Sequence, residues 1–216
     1  MVYFLGHPCR RILGTIFLGG VVCLLSGLPA RAATGLNQIV SPDIQPAGLL
    51  SVNEQLQDAR IGNSQELQLE LGLSRQAEVL FSQGLRPREE IVGAKIGLLQ
   101  KGPNLLTTGV VNWSSRGGGA SPLLEYGYYA TNDHFIAGAI YSTKRTEGVF
   151  GHSHQFTGKF QVAFDYQSGP GNAVTAGFAY NFTPDLQVNP AIFMANTRPH
   201  RALGYIILNW NIPLWH

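Results

Sequence analysis

From about Gly48 to its end, the chain alternates apolar and polar side chains with a period of two. Leu67, Leu69, Leu71 and Leu73 alternate with Gln68, Glu70 and Gly72. Phe160, Val162, Phe164 and Tyr166 alternate with Gln161, Ala163 and Asp165. Val174, Ala176, Phe178, Tyr180 and Phe182 alternate with Thr175, Gly177, Ala179 and Asn181. Successive side chains of a strand point to opposite faces, so this period predicts strands with one apolar and one more polar face. About 12 segments follow: 48–57, 66–74, 76–84, 90–100, 104–113, 122–131, 133–143, 146–156, 158–167, 172–183, 185–195 and 202–213. The alternation is weakest in 76–84 and 146–156. A tilted strand needs about 9–11 residues to cross a bilayer, whereas strands of soluble sheets usually run about 5–6. Most of these segments match the first length.

The connections carry a second rhythm. Longer ones (Asp58–Gln65, Leu85–Glu89, Ser114–Ser121, Lys144–Arg145, Ser168–Gly171 and Asn196–Arg201) alternate with shorter ones around Arg75, Lys101–Pro103, Asn132, Thr157–Gly158 and Pro184. Lys144–Arg145 is itself short, an exception within the longer set. Long external loops and short periplasmic turns are the pattern of outer-membrane barrels. The predicted fold is therefore all-β: an antiparallel up-and-down transmembrane barrel of about 12 strands over 48–216. A soluble β-sandwich is the alternative, since alternation alone does not tell inside from outside. Composition agrees with the barrel. Hydrophobic residues make up 44% and charged residues only 13%, yet mean hydropathy is close to zero. A disordered chain would carry more charge, and a helical membrane protein would carry long apolar runs.

Residues 1–32 read as a secretory signal peptide for Sec export. Arg10 and Arg11 form the basic start, Ile12 to Leu28 is uncharged and mostly apolar, and Ala30-Arg31-Ala32 fits a cleavage site. Both cysteines, Cys9 and Cys23, lie in this leader, so no disulfide or thiol chemistry is expected beyond it. Residues 33–47 are expected to form an extended periplasmic lead-in, with Pro42 and Pro46 opposing a helix. Beyond residue 32 there are 12 basic and 13 acidic residues, a balance that gives no reason to expect nucleic acid as a partner.

If the apolar faces meet lipid, the other set lines the interior. Its charged members would be Glu66, Glu70, Lys95, Glu125, Lys159 and Asp165, accompanied by Ser51, Asn53, Gln55, Gln57, Gln68, Gln161, Gln167, Gln187 and Asn209. These form either an ion-paired filling or the wall of a hydrated conduit, because a barrel of about 12 strands is intermediate between filled and open ones. Arg60, Arg86, Arg88, Arg116, Lys144, Arg145, Arg198 and Arg201 fall in the longer connections. On the outside they would meet lipid and lipopolysaccharide phosphates, which the guanidinium fork pairs well. Simple solvation of the loops explains them equally.

His152-Ser153-His154 is the one cluster that invites a catalytic or metal reading. Its two histidines share a strand face, but Ser153 points the other way, and a nucleophile needs its base within hydrogen-bond reach. No enzyme activity, cofactor or metal is expected, with a lipid-modifying barrel the residual alternative. In the last strand Ile206, Leu208, Trp210, Ile212 and Leu214 alternate strictly before Trp215. This resembles the C-terminal signal read by the barrel-insertion machinery, with the departure that His216 follows the aromatic residue.

The stretch Thr183-Pro184-Asp185-Leu186-Gln187-Val188-Asn189-Pro190, with Tyr180-Asn181-Phe182 before it, is similar to the penultimate hairpin of transporter barrels associated with phenol-degradation meta-cleavage pathways. The resemblance covers roughly the last third of the chain and implies transport of hydrophobic compounds. No site residue carries over. The expected function is a passive outer-membrane channel or transporter for small molecules. The alternative is a closed barrel contacting lipopolysaccharide or a partner.

Overall fold

The computed structural model describes residues 36–117 and 119–215. The signal peptide expected over 1–32 lies outside the described residues. Twelve strands run β1 (Leu49–Gln57), β2 (Gln65–Ser74), β3 (Ala77–Leu85), β4 (Arg88–Lys101), β5 (Asn104–Ser114), β6 (Ser121–Tyr129), β7 (Asp133–Tyr141), β8 (Thr146–Thr157), β9 (Phe160–Gln167), β10 (Ala173–Asn181), β11 (Leu186–Ala195) and β12 (Ala202–Pro213). Each pairs antiparallel with its sequence neighbours, and β1 closes on β12 from Leu49 opposite Pro213 to Gln57 opposite Tyr205. The fold is a closed, all-β, 12-strand antiparallel barrel. Closure removes the unpaired edges that an open sheet would expose.

One end of the barrel carries connections 58–64, 86–87, 115–120, 142–145, 168–172 and 196–201; the other carries the tight turns and the start of β1. These are called the loop end and the turn end. Most strand limits agree with the sequence pattern to within two residues. Strand β9 begins at Phe160 because Thr157 Oγ1 accepts hydrogen bonds from the backbone of Lys159 and Phe160, which turns the chain at Gly158–Lys159.

The outer surface is apolar. Leu67, Leu73, Phe81, Ile96, Phe164 and Ile192 are exposed on it, while their strand neighbours Glu70, Lys95 and Asp165 are buried inside. Near the turn end, Phe156, Phe160 and Phe178 form a chain of ring contacts with centroids 5.9 and 5.6 Å apart. Trp113, Tyr141 and Tyr166 are exposed towards the loop end. Aromatic girdles at two levels around an apolar band are the outer pattern of transmembrane barrels.

The inner wall is not uniformly polar. On β5 to β9 it presents Val111, Leu123, Ile136, Ile140, Val149 and Ala163, which form an apolar cluster with Leu36 and Ile39. Leu36 and Ile39 belong to the segment expected to lie in the periplasm. Instead, residues 36–47 run through the barrel as an internal strap, with Leu36, Asn37, Ile39, Ser41 and Gln45 buried. The correction has a physical cause. Apolar side chains on the inner wall need a cover, and the apolar residues of an extended segment supply one. The wall leaves room for it at inner-facing glycines. A Cβ on Gly151 would meet the Leu36 and Ile39 side chains, and one on Gly127 would meet Pro42.

Candidate functional site

The strap is fixed chiefly by one basic side chain. Lys95, on the inner face of β4 and only 1% exposed, donates from Nζ to the carbonyls of Ser41 at 2.7 Å and Asp43 at 2.8 Å. The same Nζ lies 2.8 Å from Glu78 Oε1 on β3, while Glu78 Oε2 accepts from the Gln45 backbone N–H at 2.5 Å. Thr107 on β5 donates its hydroxyl to the Pro42 carbonyl. At the other end of the strap, Asp165 Oδ2 accepts the backbone N–H groups of Asn37 at 2.6 Å and Gln38 at 2.9 Å. Buried charges are tolerated when paired or hydrogen-bonded: Lys95 and Glu78 pair with each other and bond the strap, and Asp165 accepts strap N–H groups and the Thr175 hydroxyl.

With the strap in place, the interior divides. A cavity of about 220 Å³ lies between residues 36–40 and the polar walls of β1, β2, β3, β11 and β12. A second, of about 310 Å³, lies towards the turn end and is lined by Asp43, Ile44, Arg75, Gln76 and Thr107. The strap thus lines both, residues 36–40 the first and Asp43 and Ile44 the second.

The first cavity has an ordered wall. Strand register sets Ser82 opposite Gln68, Gln68 opposite Asn53, Asn53 opposite Asn209 and Asn209 opposite Gln187. These five polar side chains form a row across β3, β2, β1, β12 and β11. Asn209 Nδ2 donates to Asn53 Oδ1 at 2.6 Å. Gln187 Nε2 extends the row by donating to Asn181 on β10 at 2.8 Å. Glu66 accepts from Gln68 at 3.0 Å and from the Ser82 hydroxyl. Asn112 joins the lining from a bulge in β5, with φ of 58°. Asn is among the few non-glycine residues that adopt this left-handed conformation readily, and a bulge re-aims the side chain it carries.

Of the interior residues expected from the sequence, Glu66 and Glu70 line this cavity; Lys95 and Asp165 hold the strap; Glu125 is fully buried on β6. Lys159 is a correction. It has the inward parity of Gln161 and Asp165, but it sits exposed in the β8–β9 turn, where the chain has already left the wall. Glu78, Ser82, Asn112, Asn189 and the whole strap were not anticipated. Glu78 and Ser82 share the inward parity of 76–84, where the alternation was weak.

The basic residues of the longer connections gather at the loop end. Arg60 pairs with Asp58 at 2.5 Å, Arg88 with Glu90 at 3.4 Å, and Arg145 with Glu147. The Arg60 hydrogen bonds hold the Asp58 carboxyl well below the usual carboxylate range, which keeps this exposed pair charged. Arg86, Arg116, Lys144, Arg198 and Arg201 have no ion pair among the described residues.

On β8, His152 Nε2 and His154 Nδ1 each lie 2.9 Å from Asp133 Oδ1. Sequence reasoning placed no acid beside them. Cross-strand register sets Asp133 opposite His154, a partner that local spacing cannot show. Ser153 is buried on the opposite face, so the histidines and the hydroxyl do not meet.

No protein-family model matches the chain, and no curated protein sequence matches it. Solved structures of porins share its fold. KdgM porin superposes with a TM-score of 0.54 at 9% identity, covering 75% of this chain and 98% of that one. KdgM porin in complex with disordered oligogalacturonate gives 0.56 at 9% identity with the same coverage. NanC porin gives 0.50 at 11% identity, covering 74% of this chain and 97% of that one. At such identities the likeness is one of fold.

Proposed function

We propose that this chain is an outer-membrane channel that passes small polar molecules. The observation that carries this reading is a closed barrel with an apolar, aromatic-girdled exterior around a carboxamide-lined cavity. Only lipid satisfies that exterior at low cost, and only a hydrated passage gives the polar wall a use beyond packing. The fold shared with porins supports it. Export through the Sec pathway and insertion by recognition of the C-terminal strand follow from the leader and from the β12 alternation. The hairpin similar to phenol-pathway barrels argues for a hydrophobic cargo, but Asn53, Gln68, Gln187 and Asn209 favour a polar one. A catalytic role has less support, since Ser153 and the two histidines face opposite sides of β8.

Purified protein in planar bilayers should show discrete conductance steps that scale with salt. If it shows none, even with the strap removed, the second reading takes over. That reading is a closed barrel whose loop end contacts lipopolysaccharide. The strap favours it, as do the five loop-end cations that have no ion pair among the described residues.

The orientation has its own test. No cysteine occurs after residue 32, so single cysteines report cleanly. On intact cells an impermeant thiol reagent should label Ala120→Cys at the loop end and spare Lys159→Cys at the turn end. Reversed labelling would place the arginines in the periplasm and remove their lipopolysaccharide partner.

A further inference from the structure

We propose that the cavity on the loop side of the strap selects solutes that donate hydrogen bonds and carry no negative charge, such as polyols, amines and small cations. The inference rests on the channel reading and adds a substrate class to it.

Three observations carry it. First, the cavity lining contains Glu66 and Glu70 and, among the described residues, no lysine or arginine. The buried basic side chain of the barrel, Lys95, is committed to Glu78 and to two strap carbonyls, and Arg75 lines the other cavity, towards the turn end. A carboxylate-bearing solute would therefore meet two carboxyl groups and no basic side chain on the lining, in a space where screening by water is reduced. Second, five buried acceptor atoms of the lining residues have no hydrogen-bond partner among the described residues: Asn37 Oδ1, Gln38 Oε1, Glu70 Oε2, Asn189 Oδ1 and Asn209 Oδ1. Buried acceptors without partners are costly, and what satisfies them is a donor: hydroxyl, ammonium or a hydrated cation. Third, the carboxamide row spans adjacent strands, so a solute can exchange one such contact for the next as it moves. Conduction needs this kind of multi-site, individually weak binding. The loop-end arginines do not reverse the argument, because they stand on the rim and outside the lining.

The test uses the whole chain without its leader, reconstituted in planar bilayers under a KCl gradient. The reversal potential should give a potassium-to-chloride permeability ratio of about 3 or more, as expected for a narrow passage with two wall carboxylates. The double variant Glu66→Gln with Glu70→Gln should move the ratio towards unity, and Asn209→Asp should raise it. In liposome swelling, glucose should enter faster than gluconate, which has nearly the same size and a negative charge. Folding of each variant is checked by heat-modifiable migration in gels. A conducting wild-type pore that prefers chloride, or folded variants with unchanged selectivity, would overturn this inference and leave the channel standing. Neither conductance nor swelling, with or without the strap, would overturn the channel reading and the selectivity together.

Discussion

Deleting residues 36–46 is expected to raise single-channel conductance about three- to ten-fold, the change anticipated when a peptide stops filling the narrowest part of a 12-strand barrel. The strap lines both cavities, and its removal is expected to join them. The deletion also uncovers the apolar wall of Leu123, Ile136, Ile140 and Val149. Water in contact with that wall is unfavourable, so the deleted protein should be less stable than the intact one. A point variant separates the two effects. Lys95→Met removes the ammonium that holds the Ser41 and Asp43 carbonyls and keeps the apolar residues of the strap in place. Breaking a buried pair by removing one partner costs about 3–5 kcal/mol, because the remaining charge stays buried. That charge is Glu78, which keeps its hydrogen bond from Gln45 only while the strap remains seated. Lys95→Met should therefore loosen the strap and produce frequent transitions between a low and a high conductance level. If both variants fold and conduct as the wild type does, the strap is not in the conducting path.

Much of the barrel was legible because one physical rule dominates it. In β2 every leucine faces out and Glu66, Gln68 and Glu70 face in, so the period of two is unbroken and the strand limits were nearly right. The rule weakens where both faces are apolar. In β7 the inner residues are Ile136 and Ile140 and the outer ones include Phe135 and Tyr141, so polarity does not distinguish the faces there. In β8 the inner positions Val149 and Gly151 are apolar or lack a side chain for the same reason, which explains the blurred alternation of 146–156. That apolar half-wall was itself the clue to the strap. A barrel interior with Leu123, Ile136, Ile140 and Val149 must be covered by something, and Leu36 and Ile39 were available in an extended segment directly before β1. No local pattern encodes which end of the barrel that segment enters. It is decided by long-range contacts such as Asp165 with Asn37 and Lys95 with Ser41, between residues far apart in sequence. The same limit hid the meeting of Asp133 with His152 and His154, which depends on strand register. Lys159 failed for a different reason: parity was right, but a threonine-capped turn ended the wall first.

Introducing an arginine at Leu69 is expected to destabilise the barrel far more than introducing one at the next residue, Gln68. Both sit in the middle of β2 and share its backbone pairing with β1 and β3. They differ in what surrounds the side chain. Leu69 belongs to the outer ladder with Leu67, Leu71 and Leu73, the face that meets hydrocarbon in a membrane. A lipid-facing arginine near the bilayer midplane costs about 2–4 kcal/mol, falling towards the interfaces. Gln68 lines the cavity beside Glu66, whose carboxylate already accepts from the Gln68 side chain at 3.0 Å. An arginine there gains a partner and stays hydrated, so its cost should remain below about 1 kcal/mol, in the range of exposed ion pairs. Unfolding of both variants by urea in lipid vesicles, followed by tryptophan fluorescence, measures the difference directly. A second readout comes from the lumen: Gln68→Arg should lower the potassium-to-chloride ratio while Leu69→Arg leaves the ratio of its folded fraction unchanged. Were Leu69→Arg to be neutral and Gln68→Arg severe, the apolar ladder would be facing a protein core, and the chain would be a soluble barrel with its polar residues packed inside.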